Sequence, residues 1–353
     1  MSNASTQSTP ELHRAANGLS HPASNQKAPE AAATRGPSAW QRLWRSWSTR
    51  LSLIAIALYT LTALYGESVY RFYKGALYEG APAALTWAPE QTPPYNELHM
   101  ESRYVPPLTK AEWPQHTLAD GTVVPTRTHR YWLGSDNLGR DVLQRLIQGA
   151  RIAFHVGIMT SLIAIPLGVL LGCLGGYFGG KIDSAVVWLC ATVSAMPGLL
   201  FILAIALIAG KGLFGIYLGI GLTTWVSVCR NIRAEVIKHR DRAYVQAARV
   251  LGYSHGRILF RHILPNVMHI VLISFSIRFP ASVATEVFIS FLGIGVQGEP
   301  SWGIMINNAR ARLWQGIWWE LAFVSLAIFL LVLIFNRLAD ALRDVFDPAL
   351  RNR

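Results

Sequence analysis

Six predominantly apolar stretches, at about 51–70, 152–174, 184–209, 213–232, 267–292 and 318–338, approach the roughly 20 residues an α-helix needs to cross a bilayer. The predicted fold class is therefore an all-α integral membrane protein with six transmembrane helices. Composition agrees, since 52% of the 353 residues are hydrophobic and only 15% charged. The net charge of +12 fits membrane orientation better than nucleic-acid binding, because lysine and arginine beside apolar spans report which side they face.

Between 229 and 265 there are eight such cations (Arg230, Arg233, Lys238, Arg240, Arg242, Arg249, Arg257, Arg261) against two acids, Glu235 and Asp241. The 66–150 segment has eight against nine acids in more than twice the length. The basic loop is thus predicted to be cytoplasmic, six spans put both termini there, and 66–150 lies outside. Residues 1–38, rich in Ser, Ala, Asn, Gln and Pro, read as a disordered cytoplasmic tail. Trp40, Trp44 and Trp47, interleaved with Arg42, Arg45 and Arg50, predict an interfacial helix leading into the first span, so that 39–70 forms one unit. Residues 71–150, with Pro93-Pro94, Pro106-Pro107 and Pro114, are too polar for lipid and too Pro-rich for long helices, and read as an extracytoplasmic insert. The transmembrane core is then 151–338, and 339–353 is a cytoplasmic tail.

Inside the basic loop, Ala243, Ala247 and Ala248 favour helix, Gly252 permits a left-handed turn, and Ser254 is placed to cap a second helix ending at Pro265. Tyr244, Ala248 and Leu251 share one face, predicting a small-residue ridge with apolar flanks. Such a helix-turn-helix either docks a soluble partner or packs on its own bundle, and the pattern alone leaves both open. The order Gln246-Ala247-Ala248, three residues, Gly252, then Leu264-Pro265 is similar to the EAA loop of ATP-binding cassette (ABC) importer permeases, in particular the dipeptide/oligopeptide/nickel branch. Gln246 stands where that pattern usually has Glu, a change that leaves helix propensity nearly equal. The resemblance implies that Tyr244, Gln246, Ala247, Ala248, Gly252, Leu264 and Pro265 form an ATPase-coupling loop, within 229–266, that inserts into a separate ATP-hydrolysing subunit.

Two more segments resemble the C-type permeases of that branch. Gly134-Ser135-Asp136-Asn137-Leu138-Gly139-Arg140-Asp141, followed by Gly149-Ala150-Arg151, is similar to their G-T-D-x-x-G-R-D…G-A-R element. Glu286…Ser290-Phe291-Leu292-Gly293-Ile294-Gly295-Val296-Gln297, then Ser301-Trp302-Gly303, resembles the element at the outer end of the fifth span. Asp136, Gly139, Arg140, Asp141, Ser301, Trp302 and Gly303 are accordingly expected in extracytoplasmic motifs, with Ser301-Trp302-Gly303 exposed at the outer face. Physically, Ser135 or Asp136 suits a helix cap, and Asp141 with Arg145 an i, i+4 pair. The ending Phe335-Asn336-Arg337…Asp347-Pro348 fits as well, so the resemblance covers about 130–351.

The resemblance implies a type I ABC importer permease of the cell inner membrane, one half of a pore for peptides. A second, B-type permease, two ABC ATPase subunits and an extracytoplasmic substrate-binding protein would be its partners, beside membrane lipid and without nucleic acid. Nickel or another small solute is the alternative cargo. An ion-coupled secondary transporter, the alternative of a different class, would call for paired inverted repeats that the sequence does not display.

Arg278 and Glu286 fall within one predicted span, where an ionised side chain facing lipid at mid-bilayer costs at least ~2.5 kcal/mol. They are candidates either for the translocation path or for inter-permease pairing. Gly175…Gly180-Lys181 imitates a phosphate-binding loop, but Ile182 replaces the Ser or Thr that would hold Mg²⁺, so a tight turn is expected instead. Gly168, Gly172 and Gly176 predict close helix packing, and Pro166, Pro197 and Pro280 mark bends or kinks. Cys173, Cys190 and Cys229 suit core packing, and the ten histidines show no zinc spacing. No catalytic residue, metal or cofactor is expected, and the chain is not expected to be an enzyme.

Overall fold

The computed structural model of the protein describes residues 47–75, 93–113, 116–117, 123–124, 126–210, 212–296 and 298–346. The expected tail 1–38, Trp40, Trp44, Gln297, Asp347 and Pro348 lie outside them.

Hydrocarbon offers no hydrogen bonds to a bare backbone, so apolar runs satisfy their own amides by coiling. The helices are α1 (Trp47–Gly75), α2 (Val142–Phe178), α3 (Gly180–Ala195), α4 (Gly198–Ala209), α5 (Leu213–Arg240) and α6 (Ala243–Val250). They continue with α7 (His255–Arg257), α8 (Leu264–Phe291), α9 (Trp302–Arg310) and α10 (Trp319–Phe346). Five helical stretches, α1, α2, α5, α7 running on into α8, and α10, are long and apolar enough to cross a membrane. The expected third span, 184–209, is not one straight helix: α3 and α4 meet at 91°, and a sixth crossing exists only if that bent pair counts as one. Pro197 explains the break. It has no amide hydrogen and it forces Met196 before it out of helical geometry, to φ −81° and ψ 139°.

The helices also overrun their apolar runs. Asp141 caps α2, accepting from the Leu143 amide at 2.7 Å and the Gln144 amide at 3.4 Å, so the helix starts at Val142, ahead of the apolar run expected from 152. With 37 residues, α2 is about 55 Å long, well beyond the ~30 Å hydrocarbon layer. It is the central helix, touching α1, α3, α5, α8 and α10. Gly168, Gly172 and Gly176 all face α5. A Cβ there would meet Val228 at 2.7 Å, the Cys229 carbonyl at 2.7 Å and the Arg233 carbonyl at 2.9 Å, so the four-residue glycine repeat is a packing seam. Leu51, Ile54, Leu58, Leu61 and Leu64 leave an apolar face of α1 exposed, as a lipid-facing helix requires.

At the N-terminal end of α2, the described residues between 93 and 141 build a small collar. Strand β1 (Thr109–Trp113) pairs antiparallel with β4 (Arg127–Tyr131), Thr109 opposite Tyr131 and Trp113 opposite Arg127; β2 (His116–Thr117) pairs with β3 (Val123–Val124). The Trp113 ring is stacked between His99 at 3.8 Å and His129 at 4.3 Å. Its indole donates to the Tyr131 hydroxyl at 3.0 Å, which donates on to the Gly139 carbonyl at 3.0 Å. His129 in turn meets Asp141 at 2.8 Å, so the hairpin is tied to the cap of α2. The β1–β4 hairpin therefore has a fixed seat on the bundle.

Candidate functional site

The opposite end of α2 carries α6. Three hydrogen bonds close α6: Leu251 N to Ala247 O at 3.0 Å, Gly252 N to Arg249 O at 3.0 Å and Tyr253 N to Ala248 O at 3.1 Å. The last of these is the long bond of a Schellman ending, which needs a left-handed residue. Gly252 supplies it at φ +74°. Ser254 then caps α7, its hydroxyl accepting from the Arg257 amide at 3.4 Å. The second helix does not stop at Pro265, contrary to expectation. Ile258–Ile263 widens into a π turn in which the Leu264 amide reaches back to the Leu259 carbonyl, and α8 continues through Pro265. Proline lacks an amide and its ring clashes with the carbonyl four residues back, so the chain opens here instead of ending.

Val245 and Ala248 are the buried residues of α6, sunk among Cys173 and Tyr177 of α2, Val228, Ile232 and Val236 of α5, and Ile258, Ile263 and Val267. That corrects the expected ridge: Ala248 points inward and is unavailable to a partner. The bare face is the opposite one, with Gln246, Ala247, Val250 at 88% and Leu251 at 70% exposure, and Tyr244 at its flank. Leu264 is half-buried and packs with the core, whereas Pro265 is exposed. Phe260, Arg249, Arg257 and Arg261 extend the face, which is apolar at its centre, basic around it, and free of carboxylates from 243 to 265. Fixed links tie this segment to the bundle. The Tyr177 hydroxyl meets His255 Nδ1 at 2.9 Å, Arg240 donates to the Gly176 carbonyl at 3.4 Å, and Tyr244 meets His239 Nδ1 at 2.8 Å, its phenol pKa pushed up by burial. Nearby, Arg233 of α5 grips Asp183 of α3 with two bonds of 2.5 and 2.6 Å. The segment is thereby tied to α2 and α5, and α3 to α5.

The motif residues at the other end prove to be buried in the fold. Asp136 is 1% exposed and accepts from the Leu138 and Arg140 amides at 2.8 and 3.0 Å and from the Arg140 guanidinium at 2.7 Å, while Gly139 turns at φ +74°. Asp141 caps α2 and pairs with His129, and it is Asp136, not Asp141, that lies near Arg145, at 3.6 Å. Ser301 caps α9, its hydroxyl accepting from the Ile304 amide at 3.3 Å. Trp302 is 1% exposed, lies over Gly149, and donates to the Leu146 carbonyl at 3.0 Å. Gly303 leaves no room for a Cβ against Val287 and Ser290. Ser301, Trp302 and Gly303 are thus internal packing residues of this end, not the exposed ones expected.

Glu286 and Arg278 part company. Glu286 is 1% exposed and accepts from Ser290 Oγ at 2.6 Å, with Ser301 as a second hydroxyl partner, so it is open neither to a pore nor to a neighbouring permease. Arg278 faces a groove between α5 and α8. A polar junction joining three segments was missed by sequence reasoning: Arg151 of α2 pairs with Glu299, reaches Glu67 of α1 at 3.4 Å, and lies 3.6 Å over the Tyr70 ring. Its signals were Glu67, which interrupts the apolar run of the first span, and Arg151 in the Gly149-Ala150-Arg151 element.

Residues 164–352 match the family described as binding-protein-dependent transport system inner membrane component. The dipeptide transport system permease protein DppC of Bacillus subtilis is 36% identical over 238 residues, which is 67% of this chain and 74% of that protein. The glutathione transport system permease protein GsiD of Pectobacterium atrosepticum is 37% identical over 229 residues, 65% of this chain and 75% of that one. The oligopeptide transport system permease protein OppC of Bacillus subtilis is 32% identical over 249 residues, 70% and 81% of the two chains. With its helical bundle and the segment at 240–266, the chain belongs to the family of inner membrane components of binding-protein-dependent transport systems.

Proposed function

We propose that the chain is one half of a two-permease pore that imports peptides, driven by ATP hydrolysed on two separate ABC subunits, one of which grips α6. The observation that carries this reading is a short helix with its back locked among the membrane helices and its front bare, apolar and rimmed by arginines. An exposed apolar face of that kind calls for a protein partner. Closure of the ATPases pushes on Gln246, Ala247, Val250 and Leu251, and the links at Tyr177, Arg240 and Arg233 pass the motion into the bundle. Gln246 contributes as an exposed amide and not as a charge. Ala248 and Leu264 act from within, holding the lever to its seat.

The charge count supports a cytoplasmic α6 with both termini on that side, and an extracytoplasmic collar on which a substrate-binding protein delivers cargo. A periplasmic reporter fused after residue 120 is expected to be active, and a cytoplasmic signal from that fusion would overturn the orientation. Peptide cargo is supported by the dipeptide, oligopeptide and glutathione permeases among the relatives. Proteoliposomes holding the whole transporter, loaded with its binding protein, should accumulate a labelled dipeptide and not Ni²⁺. Accumulation of Ni²⁺ alone would replace the peptide reading with a metal one.

A further inference from the structure

Two contiguous recesses, of about 230 and 440 Å³, run between α5 and α8 and meet at Ser227, Ile277 and Arg278. Their walls are unusual for membrane helices. Among isoleucines and alanines, Thr224, Ser227 and Asn231 of α5 and Ser274, Ser282 and Thr285 of α8 put polar groups into the walls, and Glu235 and Lys238 of α5 and Arg343 of α10 line the larger recess. At its centre the Arg278 guanidinium donates to Ser227 Oγ at 2.7 Å and its buried Nε has no hydrogen-bond partner, while Glu235, the carboxylate that lines the same groove, is paired instead with Lys238 at 2.9 Å.

A cation held at that depth without a counter-ion is costly, and such residues in membrane spans mark ion or substrate routes. The missing anion is set by position. Arg278 is 14 residues from the start of α8 and 13 from its end, about 20 Å from either at ~1.5 Å per residue. Lipid phosphates lie at the surfaces of a ~30 Å hydrocarbon layer, far from mid-span. A hydroxyl-lined recess with open volume suits a small polar solute in passage better than a packed neighbouring helix, which would fill such a groove with apolar side chains.

We propose that the α5–α8 groove is a carboxylate subsite on the cargo's route, in which Arg278 receives the C-terminal carboxylate of a peptide in transit. Ser227, already bonded to the guanidinium, orients it, and the flanking hydroxyls hydrate the peptide backbone. This rests on the peptide-importer reading above and adds which end of the cargo the chain reads and with which residue.

The test uses the complete transporter in proteoliposomes, trapped during turnover with vanadate and supplied with tripeptides bearing a photoreactive residue at either the C-terminal or the N-terminal position. Light should link the C-terminal probe to 220–231 and 277–285, and the N-terminal probe elsewhere. Arg278→Gln should weaken the C-terminal link about tenfold or more, the scale of a charge-assisted hydrogen bond, while Arg278→Lys keeps most of it. Co-purification of the partner permease and ATPases controls for assembly. Equal linking from both ends, an unchanged link in Arg278→Gln, or loss of the partner permease in that variant would overturn the subsite, the last by assigning Arg278 to subunit pairing. Failure of the wild-type transporter to import any peptide would instead defeat the peptide reading itself, and the subsite with it.

Discussion

Replacing Val250 and Leu251 together by aspartate is expected to cut ATP-driven import about a hundredfold or more while the chain still inserts and folds. Both side chains are largely exposed, at 88% and 70%, so the fold itself loses little by their change. Apolar anchors at the centre of an interface are worth ~2 kcal/mol or more each, and carboxylates placed there add a desolvation cost. Co-purification of the ATPase with the tagged chain measures the contact directly. Retained ATPase and normal import in the double variant would remove α6 from the coupling path. A companion change probes the turn instead of the face. Gly252→Val puts a β-branched residue at φ +74°, costing ~1–2 kcal/mol by backbone strain alone, because nothing lies within 4 Å of the added Cβ. Import should fall with membrane insertion intact, and Gly252→Asn, which tolerates left-handed geometry, should retain most of it.

The second large effect is expected at Trp302. Trp302→Ala empties a site that is 1% exposed, and aromatic truncation in a core costs ~3–5 kcal/mol. The indole is seated on Gly149 and bonded to the Leu146 carbonyl, so it joins α9 to α2. Thermal denaturation in detergent should show a marked fall in midpoint for Trp302→Ala. Trp302→Phe, which keeps most of the packing and loses one hydrogen bond worth ~1 kcal/mol, should show a smaller fall. Gly149→Val should resemble the alanine variant, because its Cβ would collide with the indole. Unchanged stability in Trp302→Ala and Gly149→Val would contradict the account of this end as a packed joint.

The helices were legible because apolar runs of bilayer length leave the backbone one solution. Their ends were not, since Val142 begins α2 only through the Asp141 cap, and that cap is oriented by His129 from a hairpin 12 residues earlier. Pro197 announced an interruption, but a proline fixes local dihedrals and not the angle between the helices it separates; the 91° bend depends on what each packs against. Periodicity placed Tyr244, Ala248 and Leu251 on one side of α6, but the helix ends at Val250, so Leu251 leaves it into the Gly252 turn and is bare while Ala248 is buried. The deciding fact is that Val245 next to Ala248 fits the hollow lined by α2 and α5. Ser301-Trp302-Gly303 looked like surface for a similar reason: its polar and aromatic character fits a loop, and only the notch at Gly149, far away in sequence, turns Trp302 into core. Arg278 and Glu286 share a span, but Ser290 and Ser301 close over one and leave the other facing a groove.

The energy source of import decides whether α6 is a coupling element. In proteoliposomes containing this chain, its partner permease, the ATPases and loaded binding protein, peptide uptake should require ATP hydrolysis. It should survive collapse of proton and sodium gradients by ionophores and disappear in the Val250→Asp/Leu251→Asp variant. Uptake driven by an ion gradient without ATP, unaffected by that variant, would contradict the account.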